Sequence, residues 1–371
     1  MAVPEPFEIY LVAAPGTENS LLAEAKALNF AIPMLAPGGV TIQGGWPDVW
    51  RANLQLRQTP RILARLGAFH VSHLAQLDKL SRKFPWGNYF DKNISLRVEV
   101  TCKKSRIYHA GAAAQRIETA IKEEFGASIS TEANIIIKAR IENNLCTISV
   151  DTSGESLHKR GHKEAIGKAP LRETLASYFL RESGFTGTET VVDPMCGSGT
   201  FVIEAAEIAL GLLPGRERHF AFEDLKTFDP EQWQTLRSKM QTRETEFKFY
   251  GSDRDQGAIA MCKSNAQRAG VENVTFFKHF SVSDLKPPEG PAGLVMVNPP
   301  YGTRIGDKKP LLDLYAALGK TLLTRFSGWR VGLITTDSAL AKATGLPFSS
   351  TGLPVNHGGL KVLLFKTNAL K

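Results

Sequence analysis

The chain has 371 residues, 43% of them hydrophobic and 22% charged, which is ordinary for a soluble globular protein and enough for two or three domains. A formal net charge of +8 favours a polyanionic partner such as nucleic acid, although many basic proteins bind none. The four cysteines form no C-x-x-C pair, no apolar run reaches transmembrane length and no signal-peptide pattern is evident, so we expect a cytoplasmic protein without disulfides, zinc or a membrane span.

Residues 1–60 are predicted to form a small α+β unit. Phe7–Val12 alternates as a strand does, and apolar residues recur at helical spacing over 18–28. A short strand at 40–42 and a helix at 48–56 follow. This unit shows no catalytic constellation.

Residues 61–155 are predicted to form a second unit, which ends near the Asp-Thr-Ser-Gly stretch that begins at Asp151. The stretch 61–66 fits a short strand and a short helix equally well. The elements that the pattern does predict are strands at 94–100, 134–141 and 146–150 and a helix at 112–125.

Two segments are rich in basic side chains. Lys103–His109 follows a predicted strand, and its charges either bind phosphates or belong to a solvated turn; both interpretations stay open. Ser156–Arg172 carries five basic side chains against one acid in a loop with glycine and proline, which favours a polyanion contact over a plain linker. The candidate contacts are Lys103, Lys104, Arg106, Lys159, Arg160 and Lys163.

From residue 173 onward, predicted strands and helices alternate. This alternation indicates an α/β domain with a mostly parallel, doubly wound sheet covered by helices on both faces. The predicted strands lie at 190–192, 247–250, 274–277, 294–297, 331–335 and 360–365.

The first strand-to-helix turn of this domain is the segment Asp193–Thr200. Gly197 and Gly199 allow a tight turn and close approach of a ligand to the backbone. The third glycine of a dinucleotide fingerprint and the lysine of a P-loop are both missing. Asp193 at the strand end would face a pyrophosphate badly and an α-ammonium group well.

Further acidic residues follow the next two strands. Asp253 stands where a carboxylate can accept hydrogen bonds from both hydroxyls of a ribose, whereas Asp255 is predicted to cap the following helix. Asp284 either holds an adenine amino group or is a simple turn residue; the two interpretations are nearly balanced.

The apolar strand at 294–297 leads directly into Asn298–Tyr301. Two prolines cannot continue a sheet ladder, so the strand stops there and carries Asn298 and Tyr301 on a stiff loop at its carboxyl end. An amide oxygen, a proline carbonyl and a flat ring suit a planar group that bears an NH2. Together with Asp193 and Asp253, the loop indicates S-adenosylmethionine facing an exocyclic amine.

These motifs resemble a known family. Asp193–Thr200 with Asn298–Gly302 resembles the class I methyltransferases that modify exocyclic amines, in the branch that acts on guanine N2 in RNA. Lys104–His109 and the Asp151–Gly161 region resemble a THUMP domain. The whole chain is similar to RlmL-type (UPF0020-like) 23S ribosomal RNA guanine-N2 methyltransferases, and it ends where longer members continue into a second methyltransferase.

The resemblance implies a ferredoxin-like unit over 1–60, a THUMP RNA-binding domain over 61–155 and a methyltransferase domain over 156–371. One departure is that the acid that family members often carry near position 281 is absent, which leaves Asp284 as its substitute. The implied cofactor-binding residues are Asp193, Pro194, Cys196, Gly197, Gly199, Asp253, Asp284 and Asn298. The implied catalytic residues are Asn298, Pro299 and Tyr301.

For catalysis, we expect the Asn298 oxygen and the Pro299 carbonyl to accept the two N–H bonds of the target amine, while Tyr301 stacks on the base. No metal is required. Four alternatives share these motifs: methylation of guanine N2 in transfer RNA, of adenine N6 in DNA, of protein glutamine, and a non-catalytic RNA-binding role. The basic N-terminal half favours RNA over DNA.

Overall fold

The computed structural model describes residues 6–164, 171–239, 241–301 and 308–371. Its internal contacts divide the chain into two compact units. The first unit holds the described residues of 1–13, 21–157 and 218–239, and the second holds those of 14–20, 158–217 and 240–371. None of the helices in the described ranges has the length and apolarity that a bilayer crossing needs.

The strands are β1 Phe7–Val12, β2 Ala31–Ala36, β3 Gly39–Gly44, β4 Ile62–His70, β5 Ser95–Lys103, β6 Ser128–Ile129, β7 Ile135–Glu142, β8 Leu145–Asp151, β9 Val191–Asp193, β10 Phe249–Asp253, β11 Thr275–His279, β12 Leu294–Val297, β13 Arg330–Thr335, β14 Phe348–Thr351, β15 Val355–His357 and β16 Leu360–Thr367. The α-helices are α1 Glu18–Ala27, α2 Trp46–Gln55, α3 Leu74–Arg82, α4 Ala110–Ala120, α5 Glu173–Glu182, α6 Thr200–Ala209, α7 Pro230–Ser238, α8 Gln256–Arg268, α9 Lys308–Arg325 and α10 Ser338–Ala343.

The first unit is built on one sheet in the order β2-β3-β1-β4-β8-β7-β5-β6. The undecided stretch 61–66 belongs to β4, because Ile62 and Ala64 are buried while their neighbours are not. β4 pairs antiparallel with β1 on one side and with β8 on the other. The predicted units 1–60 and 61–155 therefore share a continuous sheet, and the predicted boundaries stay a prediction.

The segment 218–239 also belongs to the first unit, although it lies between two elements of the second. Trp50 of α2 packs on the rings of Phe222 and Phe228, with centroids 6.2 and 5.7 Å away. The Arg218 guanidinium donates hydrogen bonds to the carbonyls of Ser156 and Glu155 at 2.9 and 2.7 Å. This insertion had no counterpart in the predicted domain plan.

The second unit is built on a sheet in the order β11-β10-β9-β12-β13-β16-β14. The pairs from β11 through β13 are parallel, and β16 joins β13 and β14 antiparallel, so the prediction of a mostly parallel α/β sheet is confirmed. One apolar cluster packs α5, α6 and α8 on one face, and a second packs α9 and α10 on the other. Because β9, β10 and β12 are parallel, their carboxyl ends meet at one edge.

Candidate active site

Asp193 ends β9 and is buried, with 3% of its surface exposed. Its Oδ1 accepts a hydrogen bond from the Met195 N–H at 3.1 Å. Burial raises the pKa of this carboxyl to about 8; the Met195 bond lowers it and the nearby charge of Asp253 raises it further. No ion pair with Asp193 occurs in the described ranges, and a cationic ligand group beside this carboxyl would favour its ionised form.

The turn after β9 depends on two glycines in the left-handed region. Gly197 has φ 54° and Gly199, which caps α6, has φ 85°. A Cβ on Gly199 would lie 3.2 Å from the Cys262 sulfur, whereas a Cβ on Gly197 would meet no atom within 4 Å. Gly199 therefore serves packing, and Gly197 borders open space that a ligand can enter.

Asp253 ends β10 and ties two loops together. Its Oδ2 accepts the Gly197 N–H at 3.0 Å, and its Oδ1 accepts the Asp255 N–H at 3.0 Å. The N–H of Cys196 donates to the Ser252 carbonyl at 2.9 Å, which strengthens the same junction. Asp255 accepts the Gly257 N–H at 2.8 Å as the N-cap of α8, so its predicted capping role is confirmed.

Asp284 lies in a short helical turn after β11 and is exposed. One of its oxygens accepts the Ser281 hydroxyl at 2.7 Å. This bond is the local contact that a turn residue makes, and the exposed carboxylate can still accept an amino group. The adenine contact therefore stays a prediction.

Asn298 follows β12, whose four residues are all buried. The Oδ1 of Asn298 is itself buried and finds no hydrogen-bond donor among the described residues. Such an oxygen costs about 1–3 kcal/mol unless a donor reaches it. Pro299 is buried, and the carbonyl of the exposed Pro300 accepts the Tyr315 hydroxyl at 3.4 Å. The loop thus holds an acceptor in place for a donor from outside.

Tyr301 is half-buried and packs against both apolar clusters of the second unit. Burial raises the pKa of its hydroxyl, with a contribution from Tyr315, while the Asn298 side chain opposes the rise through its NH2 group, the end of the amide that can donate to the Tyr301 oxygen. The ring therefore has a packing role beside its predicted stacking on a base, which stays a prediction. Gly302, the last residue of the quoted motif, lies outside the described residues.

Four of the predicted basic contacts lie on the surface. Lys103, Lys104 and Arg106 are exposed at the end of β5, and Lys159 is exposed in the second unit. Sequence reasoning passed over Tyr108, which is 86% exposed between Arg106 and the helix cap His109. A ring so exposed among cations is a candidate stacking surface, and its place within the basic run was the available signal.

Two predicted RNA contacts form ion pairs inside the second unit; burial argues against Arg160, whereas the half-buried Lys163 stays a prediction. Arg160 is 2% exposed and pairs with Glu204 of α6, with the closest atoms 3.4 Å apart. The Lys163 Nζ lies 2.9 Å from a Glu173 oxygen and 2.9 Å from the Thr200 hydroxyl. Acids that come later in the sequence neutralise both charges inside the second unit. Residues 165–170 of the same basic segment lie outside the described residues.

Across the described ranges, no three His, Cys, Asp or Glu side chains come together as a metal site would require.

Comparison with known proteins accounts for this arrangement. The family model UPF0020, described as the RMKL-like methyltransferase domain, matches residues 160–364. The chain belongs to this methyltransferase family. The RlmL ferredoxin-like domain matches residues 8–63 and the THUMP domain matches 71–151. Asp193, Asp253 and Asn298 all lie within the methyltransferase match.

Individual relatives agree with the family. The protein slr0064 of Synechocystis sp., named as a candidate RNA methyltransferase, is 34% identical over 88% of this chain and 88% of its own length. The ribosomal RNA large subunit methyltransferase K/L of Psychromonas ingrahamii is 34% identical over 91% of this chain and 47% of its own length. The chain thus spans about half the length of such K/L relatives.

A solved structure extends the agreement to the fold. The crystal structure of SMU.472, a candidate methyltransferase complexed with SAH, is 26% identical, covers 100% of both chains and has a TM-score of 0.89. The predicted class I methyltransferase fold preceded by ferredoxin-like and THUMP regions is confirmed.

Proposed function

We propose that this protein transfers a methyl group from S-adenosylmethionine to the exocyclic N2 of a guanine in 23S ribosomal RNA. The observation that carries the proposal is the buried Asn298 Oδ1, which has no donor among the described residues and lies at the sheet edge where β9 and β10 end in Asp193 and Asp253. A family of methyltransferases and relatives named for ribosomal RNA methylation support it.

The residues around β9 and β10 fit the methyl donor. Asp193 is a buried carboxylate that suits the α-ammonium group, and that cation would favour its ionised form. Gly197 borders open space, and the Asp253 carboxylate retains lone pairs for the ribose hydroxyls. When bound, S-adenosylmethionine supplies an electrophilic methyl group on a sulfonium.

The residues after β12 fit the acceptor. The guanine amine is a poor nucleophile because its lone pair is delocalised into the ring. Asn298 Oδ1 and the Pro299 carbonyl would accept its two N–H bonds, localise the lone pair and stabilise the positive charge that develops on nitrogen. Tyr301 would contact the base plane, and the proton would leave to water after methyl transfer.

RNA is the proposed substrate because of the first unit. It matches a THUMP domain and exposes Lys103, Lys104 and Arg106 together at the end of β5. Such cations neutralise phosphates without reading sequence. The preference for guanine over adenine is supported by the resemblance and by the family match alone.

Identification of the product tests the substrate. The protein would be incubated with labelled S-adenosylmethionine and unmodified 23S ribosomal RNA, transfer RNA or DNA, and the methylated nucleoside identified by mass spectrometry. We expect N2-methylguanosine from ribosomal RNA. If N2-methylguanosine forms from transfer RNA alone, the substrate is transfer RNA and the assignment to ribosomal RNA is wrong. Formation of N6-methyladenine would show that guanine is the wrong target base.

A pair of variants tests the division of roles. Asn298→Ala should lower the rate of methyl transfer by roughly 10²–10³-fold, because a preorganised acceptor for the developing charge is lost. Its affinity for S-adenosylmethionine should stay near that of the wild type. Asp253→Ala is the matched control, and it should weaken cofactor binding first. Substantial turnover by Asn298→Ala would refute the proposed mechanism.

A further inference from the structure

A groove on the second unit adjoins the site described above and shares Asp284 with it. It has a volume of about 530 Å³ and runs beside β10 and β11. Val192, Tyr250 and Leu285 line it and also belong to the apolar cluster under α9, so the groove lies on that face of the sheet. Its volume is within the range of small-ligand sites, roughly 300–1,000 Å³.

The floor of the groove is aromatic. The rings of Tyr250 and Phe276 stack with centroids 5.4 Å apart and an interplanar angle of 25°. Phe276 is 40% exposed on β11, which is the edge strand of the sheet. The stack is therefore a flat surface that another planar ring can cover.

The walls of the groove are basic. Lys278 and Lys286 line it, are exposed, and form no ion pair within the described ranges. Arg325 at the end of α9 donates to the Ser283 and Leu285 carbonyls at 2.9 and 2.7 Å, which fixes the wall. Asp284 is the acid among the lining residues, so the cations outnumber it.

We propose that this groove binds a nucleotide of the substrate RNA a few positions from the methylated one. The base stacks on the Tyr250–Phe276 pair, and Lys278 and Lys286 bind the adjoining phosphates. The inference depends on the proposed function, because the nucleotide belongs to the RNA that is methylated. The contact reads no sequence, since every base has a face that can stack.

Charge argues for a nucleic acid over an apolar peptide. A peptide covering the stack would remove two lysines from water without pairing them, and lysine is depleted at protein interfaces for this reason. A polyanion pairs them and gains both stacking and phosphate contacts.

Position also supports the proposal. Ser252 lines the groove, and the next residue is Asp253 at the edge where the target base would lie. β11 and β12 are three strand spacings apart, about 14 Å at the usual separation. The Tyr250–Phe276 stack is level with Val295, three residues before Asn298. An extended single strand with one base at Asn298 therefore needs several nucleotides to reach it.

Steady-state kinetics and RNA binding on the full chain test the groove. Phe276→Ala should weaken RNA binding roughly 5- to 100-fold, as loss of one stacked base does, and raise KM for RNA without lowering kcat at saturation. Lys278→Ala and Lys286→Ala should each reduce the salt dependence by about one phosphate contact. The affinity for S-adenosylmethionine should not change in any of them.

Two matched controls separate the groove from general effects. Phe276→Tyr keeps the stacking ring and should behave as the wild type. Lys320→Ala removes an equally exposed lysine from α9 and should leave RNA binding unchanged. If Phe276→Ala fails to fold, the two lysine variants and Lys320→Ala still decide the question.

The groove proposal is overturned if all three variants bind RNA as the wild type does, or if they lose affinity for S-adenosylmethionine while RNA binding persists. These failures differ from failure of the proposed function, in which the wild type itself methylates no RNA.

Discussion

The basic side chains of two segments lie in different environments in this protein. Lys103–His109 of the first unit keeps Lys103, Lys104 and Arg106 exposed. In the second segment, the described residues 156–164 include Arg160, which is buried, and Lys163, which is half-buried; both form ion pairs within the second unit. Charge density in the sequence was the same kind of signal for both.

The difference lies in the acids that each segment meets. The Lys103 Nζ lies 3.3 Å from a carboxylate oxygen of the partly exposed Glu142, and the Lys103 side chain stays in contact with water. The second segment packs on α6, where Glu204 and Glu207 are fully buried and require cations. Arg160 pairs with Glu204, and Arg216 pairs with Glu207 at 2.7 Å. A basic segment therefore predicts a polyanion contact only where its side chains do not form ion pairs with buried acids.

Removing a buried acid should give the largest effect. Glu204→Ala removes a buried carboxylate that pairs with the buried Arg160 guanidinium, and we expect it to lower the free energy of unfolding by about 3–5 kcal/mol. Denaturant unfolding measures the loss. The double variant Arg160→Met, Glu204→Leu replaces both charges by apolar groups and should recover much of the lost stability. If the free energy of unfolding of Glu204→Ala is within about 1 kcal/mol of the wild-type value, the ion-pair account is contradicted.

Acidification should give an intermediate effect through His158. Burial and the nearby Arg172, Arg160 and Lys163 lower its pKa to about 4. The unfolded chain binds a proton near pH 6.5, so this histidine costs stability progressively as the pH falls from about 6.5 toward 4. His158→Gln should therefore lose less stability between pH 7 and pH 5 than the wild type, measured by urea unfolding. Equal losses in the two proteins would count against burial of this ring.

The exposed segment should give the smallest effect on stability. Lys104→Ala and Arg106→Ala should each change the free energy of unfolding by no more than about 0.5 kcal/mol. Each should nonetheless weaken RNA binding and lower the salt dependence by about one phosphate contact. Lys163→Met is the matched contrast, because it should cost stability while the salt dependence of RNA binding stays the same. The reverse pattern would exchange the roles of the two segments.

Local signals sufficed for much of the second unit. The strand-helix alternation predicted its mostly parallel sheet, and the prolines after Val297 predicted where β12 ends. The glycines of the first turn predicted a tight turn, and Gly197 and Gly199 have the positive φ angles that such a turn uses. Each of these features is determined by residues adjacent in sequence, so periodicity and backbone chemistry could reveal it.

Features set by distant residues escaped prediction. The acid that pairs with Arg160 comes from α6, about forty positions later in the chain, and the acid that pairs with Lys163 comes from α5. The membership of 218–239 in the first unit depends on Trp50, which lies far upstream. The helix α3 and the short α10 were missed as well, because neither carries a long apolar repeat.

The pairing of β4 with both β1 and β8 makes the two modules of the first unit inseparable. A cut between the ferredoxin-like and THUMP regions would leave an unpaired edge on β4 and another on β1 or β8, and such edges recruit other strands. The family models divide this unit between residues 63 and 71, whereas its eight strands form one continuous sheet. A fusion of the RNA-binding region to another enzyme would therefore have to include all eight strands of the first unit's sheet.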